Sequence, residues 1–133
     1  MKRAPFVALL LLAAAGCQHP EFYALTTPPA GSIAQLVFQD GHYVVRVTEG
    51  IALAMSCVDS HRNPCAKTFP QSGDPSIVTA YPAIRDKTVT GRSVSAAEGT
   101  IVVVGHRTGT TNLRIFANNE SEDLRVEVLP ARL

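Results

Sequence analysis

The sequence predicts an all-β chain, a sandwich of about seven to nine short strands. Three observations predict it. Runs of β-branched and alternating apolar residues recur at close spacing. Turn signals such as Asp40-Gly41, Glu49-Gly50 and Asn118-Asn119 separate them. Beyond the first residues, no stretch of about ten or more carries a 3.6-residue apolar period.

The first element is a leader. Met1-Lys2-Arg3 is basic, and Val7 to Ala15 is unbroken Val, Ala and Leu. That run is too short for a bilayer, which needs about 20 apolar residues, and charge followed by apolar run is the order of a secretory signal. It ends Ala14-Ala15-Gly16-Cys17, which resembles the lipobox of bacterial lipoproteins, with Ala14 where Leu is usual. The resemblance implies a diacylglycerol on the Cys17 sulfur and an acyl anchor in the membrane. Gln18 rather than Asp after the cysteine implies the outer membrane, facing the periplasm. An ordinary signal peptide with an incidental cysteine is the alternative. Losing Lys2 and Arg3 with the leader leaves ten basic against eleven acidic residues, so the net charge of +1 becomes −1.

The expected division is a signal peptide at 1–16, a lipidated N-terminus and tether at 17–32, and the sandwich domain at 33–133. Gln18 to Ser32 holds Pro20, Pro28, Pro29 and Gly31 and reads as an extended tether. Ala34 to Phe38 and His42 to Val47 flank the Asp40-Gly41 hairpin signal. In the second of these, Tyr43, Val45 and Val47 share one face, opposite His42 and Arg46. Residues 51–56 alternate after Gly50; their alanines also suit a helical turn, but the glycine and the alternation favour a strand. Val58 to Pro75 is polar and proline-bearing and reads as a loop.

Ser76 to Tyr81 alternates again, with Ile77 and Tyr81 on one face, and Lys87 to Ser95 reads as two short strands bent at Gly91. Thr100 to Val104 is continuously apolar, as a central strand is. Asn112 to Ala117 sets Leu113 and Ile115 against Arg114. The last run places Leu124, Val126 and Val128 inside and Arg125 and Glu127 outside.

Composition excludes several functions. Charged residues make up 17% of the 133, below the roughly 25% of an average soluble domain, so a disordered polyelectrolyte is excluded. Near-zero net charge, with no basic or aromatic stripe, gives no case for nucleic acid. There is no Gly-rich phosphate loop and no Gly-x-Ser-x-Gly elbow, and no cofactor is implied.

The stretch from Asp74 to Pro130 carries a family resemblance. Asp74-Pro75-Ser76-Ile77-Val78 is followed by Gly99-Thr100-Ile101-Val102-Val103-Val104-Gly105, then Arg107-Thr108-Gly109-Thr110-Thr111-Asn112-Leu113, and Leu124-Arg125-Val126-Glu127-Val128 closes the series. It resembles group-2 bacterial Ig-like domains and is similar to the related N-terminal domain of pilus-associated secretins. The resemblance implies an Ig-like sandwich. Secretin assembly is not implied, because the chain ends three residues after Pro130 and the Val58 to Gly73 loop is longer than in the pattern.

Few residues offer chemistry. Cys57-Val58-Asp59-Ser60-His61-Arg62-Asn63-Pro64-Cys65 reads as a disulfide-closed loop, which export permits. The spacing of Cys57, His61 and Cys65 also admits zinc, with Asp59 or Asp74 as a further ligand, but no second ligand pair appears. His19, His42 and His106 fall in a tether, a strand edge and a turn. Glu120, Glu122 and Asp123 lack calcium-loop spacing and read as a solvated hairpin tip. Arg107 and Arg114 flank the central turn. The expected binding residues are Asp59, His61 and Arg62 on one loop and Arg107, Thr108 and Thr110 on another, since loops on a rigid sandwich carry recognition.

The expected function is that of a non-enzymatic cell-envelope lipoprotein. It would bind, adhere or assemble through an envelope protein partner, with a link to pilus or secretion machinery. The alternative is a small periplasmic inhibitor of an envelope hydrolase, acting through the disulfide-braced loop.

Overall fold

The computed structural model describes residues 19–85 and 97–132. The Cys17 lipidation site and the paired strands expected at 87–95 lie outside them. Among the described residues there is no helix and there are nine strands: β1 (Glu21–Ala24), β2 (Ala34–Gln39), β3 (His42–Thr48), β4 (Ala52–Val58), β5 (Phe69–Ser72), β6 (Val78–Arg85), β7 (Ala97–Gly105), β8 (Gly109–Ala117) and β9 (Glu120–Leu129). They form two sheets, ordered β1-β4-β7-β6 and β2-β3-β9-β8-β5. Among the described residues the chain is an all-β sandwich of two sheets, as the strand spacing implies.

Period-2 alternation builds the core. Val45 and Val47 of β3, Leu113 and Ile115 of β8, and Leu124 and Val126 of β9 point inward from the larger sheet, all fully buried. They meet Leu53 and Met55 of β4, Val78 of β6, and Ile101 and Val103 of β7. Two hairpins turn as their sequences dictate. Asp40 and Gly41 both take positive φ, 52° and 79°, and so do Asn118 and Asn119, 51° and 64°, which is the tight two-residue turn whose twist matches the flanking strands.

The outward faces differ in chemistry. The five-stranded sheet carries ion pairs: Arg46 to Glu127 at 2.9 Å, Arg125 to Glu127 at 3.1 Å and Arg114 to Asp123 at 2.7 Å. The middle of the four-stranded sheet presents Ala54, Val102 and Tyr81 in one cross-strand row.

The structure differs from expectation in three places. First, the segment read as tether contains β1, which pairs with the end of β4 and buries Phe22 in the core. A four-residue strand between prolines has a single inward residue, too little for periodicity to register. The folded unit therefore begins near Glu21 rather than at residue 33. Second, β5 lies inside the stretch read as loop and pairs with β8. Its Pro70 is buried, and proline is tolerated there because β5 is an edge strand with one side unpaired. Third, Ile77 and Tyr81 do not share a face. Ile77 sits in the turn before β6, Val78 takes the core position, and Tyr81 points outward, 55% exposed.

Candidate functional site

The loops expected to bind lie at opposite ends of the sandwich. At one end, the Cys57–Cys65 loop, the Asp40-Gly41 turn and the Asn118-Asn119 turn cluster beside the start of β1. Asn118 fixes this arrangement: its Oδ1 accepts from the Ala66 N–H at 2.7 Å, and its own N–H donates to the Ala66 carbonyl at 3.0 Å. At the other end, the Glu49-Gly50 turn, the Asp74–Ile77 turn and the Arg107-Thr108 turn meet. The six expected binding residues therefore make two groups, and they cannot share one ligand.

The disulfide joins Cys57 to Cys65 with their Cα atoms 5.4 Å apart, within the usual range, and both cysteines are fully buried. This excludes zinc at that position, and among the described residues no three His, Cys, Asp or Glu side chains come close enough to hold a metal. Inside the loop, Asp59 Oδ1 accepts the backbone N–H of His61 at 2.8 Å and of Asn63 at 2.9 Å. These bonds, led by the one from Asn63, hold the Asp59 carboxyl below its ordinary range against a smaller opposing desolvation. Asp59 thus braces the loop from within, leaving His61 and Arg62 on its exposed crest. Arg62 takes a positive φ of 66°.

Gly99 of β7 makes the loop possible, and the sequence did not single it out for that role. With φ at +86°, a Cβ there would stand 2.8 Å from the Cys57 carbonyl oxygen and 2.9 Å from the Cys65 nitrogen. Both are backbone atoms that cannot step aside. Only glycine fits.

At the far end, Arg107 and Thr108 are engaged by the fold. Arg107 Nη2 donates to Ser76 Oγ at 3.0 Å, and Ser76 Oγ donates to Asp74 Oδ1 at 2.6 Å. The Ser76 hydroxyl, then its N–H, are the main causes that lower the Asp74 carboxyl, with the Arg107 charge adding to them. Thr108 donates from its N–H and its hydroxyl to Glu49 Oε2, at 3.3 and 3.0 Å. The Asp74-Pro75-Ser76 motif and the Arg107-Thr108 turn thus lock to each other. Thr110 stands on the outward face of β8 opposite Glu127. Arg114, expected beside the turn, lies mid-strand and is paired to Asp123.

Sequence reasoning missed the cleft at the disulfide end. It measures about 580 Å³ and is lined by Phe38, Tyr43, His19, Glu21, Ser60 and Glu122, among others. The Tyr43 ring packs edge-on against Phe38 at 4.9 Å and against Phe22 at 5.2 Å. Strand alternation separates the acidic cluster: Glu122 lines the cleft, whereas Asp123 turns outward to Arg114 and is held low by it. Aromatic faces beside two carboxylates suit a cationic group on an apolar stem. The only advance signal was Phe38, an aromatic next to a hairpin turn.

No family model matches the chain, and no curated protein matches it at a significant level. Among solved structures, the chain is similar to the surface layer protein SbsC. With its domains 1–6 the identity is 17% and the TM-score 0.47, over 67% of this chain and 12% of that one. With domains 4 and 5 the values are 16% and 0.45, over 74% and 46%. The chain thus spans less than half the length of either structure, and the functional reading rests on the molecule's own residues.

Proposed function

We propose that this chain is a non-enzymatic cell-envelope module, a lipid-anchored Ig-like sandwich that binds another envelope component. The buried Cys57–Cys65 disulfide carries the reading. Such bonds persist in oxidising, exported compartments, which fits a chain that opens with an export-type leader. The disulfide accounts for two of the three cysteines and leaves Cys17, at the end of the leader, as the residue to be acylated.

The structure bears on how the anchor would act. With β1 starting at Glu21, the stretch from Cys17 to Pro20 spans at most about 14 Å when extended. An acylated Cys17 would keep the disulfide end and its cleft near the outer-membrane surface and direct the Glu49 and Asp74 end into the periplasm. The cleft is the recognition surface we assign, with Glu21 and Glu122 receiving a lysine or arginine of the partner. The secretin-like segment directs the search for that partner to pilus and secretion machinery.

Affinity capture from native envelopes tests this, with the wild-type chain and Glu21→Gln/Glu122→Gln as baits. The wild type should retain an envelope protein that the variant loses. Retention by both baits alike would remove the cleft from the reading. An exposed, internally braced crest at His61 and Arg62 also suits the inhibitor reading. Inhibition of lysozyme by the purified protein, abolished by His61→Ala/Arg62→Ala, would decide for it.

A further inference from the structure

A sandwich has four sheet edges, and three of these are blunted. β1 and β5 are four residues each, and β5 contains Pro70. β6 carries Pro82 and an irregularity between Ala83 and Arg85. Short strands, prolines and bulges are the devices by which proteins prevent edge-to-edge pairing. β2, Ala34-Gln35-Leu36-Val37-Phe38-Gln39, has none of them: it is six residues long, uncharged, and free of proline and glycine.

The register shows which groups β2 leaves open. Gln39 faces His42 across the two-residue turn, and the Thr48 N–H donates to the Ile33 carbonyl at 2.8 Å. Hydrogen-bonded pairs alternate along an antiparallel ladder, so residues 33, 35, 37 and 39 bond to β3. The N–H and C=O groups of Ala34, Leu36 and Phe38 then point off the sheet. β1 packs close to this edge but makes no backbone bond to β2 among the described residues. On the same edge Phe38 is 65% exposed although it lies on the inward side of β2.

We infer that β2 pairs antiparallel with β2 of a second copy about a two-fold axis through Leu36, joining the two five-stranded sheets into one. This rests on the binding-module reading only in taking association as the module's work. The strand is self-complementary in that register. Leu36 meets Leu36 of the second copy, and Ala34 meets Phe38, so the smallest inward side chain lies beside the largest. Ala34, Leu36 and Phe38 of each copy, whose backbone groups point off the sheet, exchange about six backbone hydrogen bonds, and no like charges face each other. Shifting the axis by one step in either direction loses an inward pair. Such an interface is isologous and closed, so it stops at a dimer.

Sedimentation equilibrium of the purified full chain in mild detergent tests the inference. Gln35 and Val37 are outward-facing on β2 and lie opposite each other across the two-fold, so Gln35→Lys/Val37→Lys sets like charges in register, as does Gln35→Glu/Val37→Glu. The wild type should sediment as a dimer at micromolar concentration, each variant alone as a monomer, and their equimolar mixture again as a dimer. Recovery on mixing excludes misfolding as the cause of the loss. A monomeric wild type, or variants that dimerise alone, overturns self-pairing. The pairing reaches only the Phe38 rim of the cleft, and the cleft's own capture test uses Glu21 and Glu122, so the two readings fail separately.

Discussion

The Arg46 guanidinium lies 2.9 Å from the Glu127 carboxylate, across the parallel pairing of β3 with β9 that sets residues 81 apart side by side. Arg125 reaches the other oxygen of the same carboxylate at 3.1 Å. The remaining strand pairings among the described residues are antiparallel. This ion pair marks the one place where the chain's early strands meet its last without a hairpin to align them.

Its energetic share is small. Side-chain exposures of 32% and 22% leave it substantially screened by water, so an Arg46/Glu127 double-mutant cycle in urea should return a coupling of about 0.2–1 kcal/mol. Raising the salt concentration should shrink it. A coupling several times larger would mean that the pair, rather than core burial, sets the parallel register.

Removing the disulfide costs more. Cys57→Ser/Cys65→Ser should lower stability by about 2–3 kcal/mol, the loop-closure value for so short a ring. Gly99→Ala should cost more than about 1 kcal/mol with the disulfide intact, since it combines a left-handed backbone with a backbone clash. Urea midpoints measure both. A neutral Gly99→Ala would mean that the loop can move off β7.

Acid should destabilise the fold in a defined window. Asp59, Asp74 and Asp123 all have carboxyls lowered in the folded chain, so the unfolded chain takes up protons first as pH falls. Their contribution is complete above the ordinary carboxylate range and is lost as pH drops through the folded values. Melting temperature should be flat near neutrality and fall below about pH 4. Asp59→Asn/Asp74→Asn should melt lower at neutral pH and show a shallower acid limb. An unchanged acid limb would remove these carboxylates from the account.

Core truncation provides the scale for the other effects. Leu53 is fully buried between the sheets, and Leu53→Ala should cost about 2–5 kcal/mol, measured by the same urea melts. A smaller loss would mean that the two sheets close over the cavity.

The proposed lipid anchor has its own measurement. Mass spectrometry of the membrane fraction should find Cys17 as the N-terminal residue, carrying acyl chains. An unmodified chain starting elsewhere would remove the anchor and leave the sandwich as a freely diffusing module.

How much was legible follows from how much signal each element carries locally. β3, β8 and β9 alternate over seven to ten residues, and Val45, Leu113 and Val126 were placed inside correctly because period-2 burial is written in consecutive residues. β1 and β5 contribute one or two inward residues each among prolines, so nothing local distinguishes them from loop. The internal partners of Asp59, Arg107 and Thr108 were illegible for a related reason. A polar residue in a turn looks the same in sequence whether its hydrogen bonds go to a ligand or to the backbone two residues on.

The sequence alone determined an all-β chain, its tight hairpins and most of its core, because backbone propensity, turn chemistry and alternation act over a few residues. It also determined that two cysteines flank a short loop. Only the tertiary structure decided which ends of the strands come together. It set the disulfide loop beside Phe38, Tyr43 and Glu122 to make a cleft, moved the Arg107-Thr108 turn to the opposite end, and left β2 as the unguarded edge. Those relations depend on how two sheets are ordered and stacked, which is settled by burying distant apolar faces against each other and has no local signature in the chain.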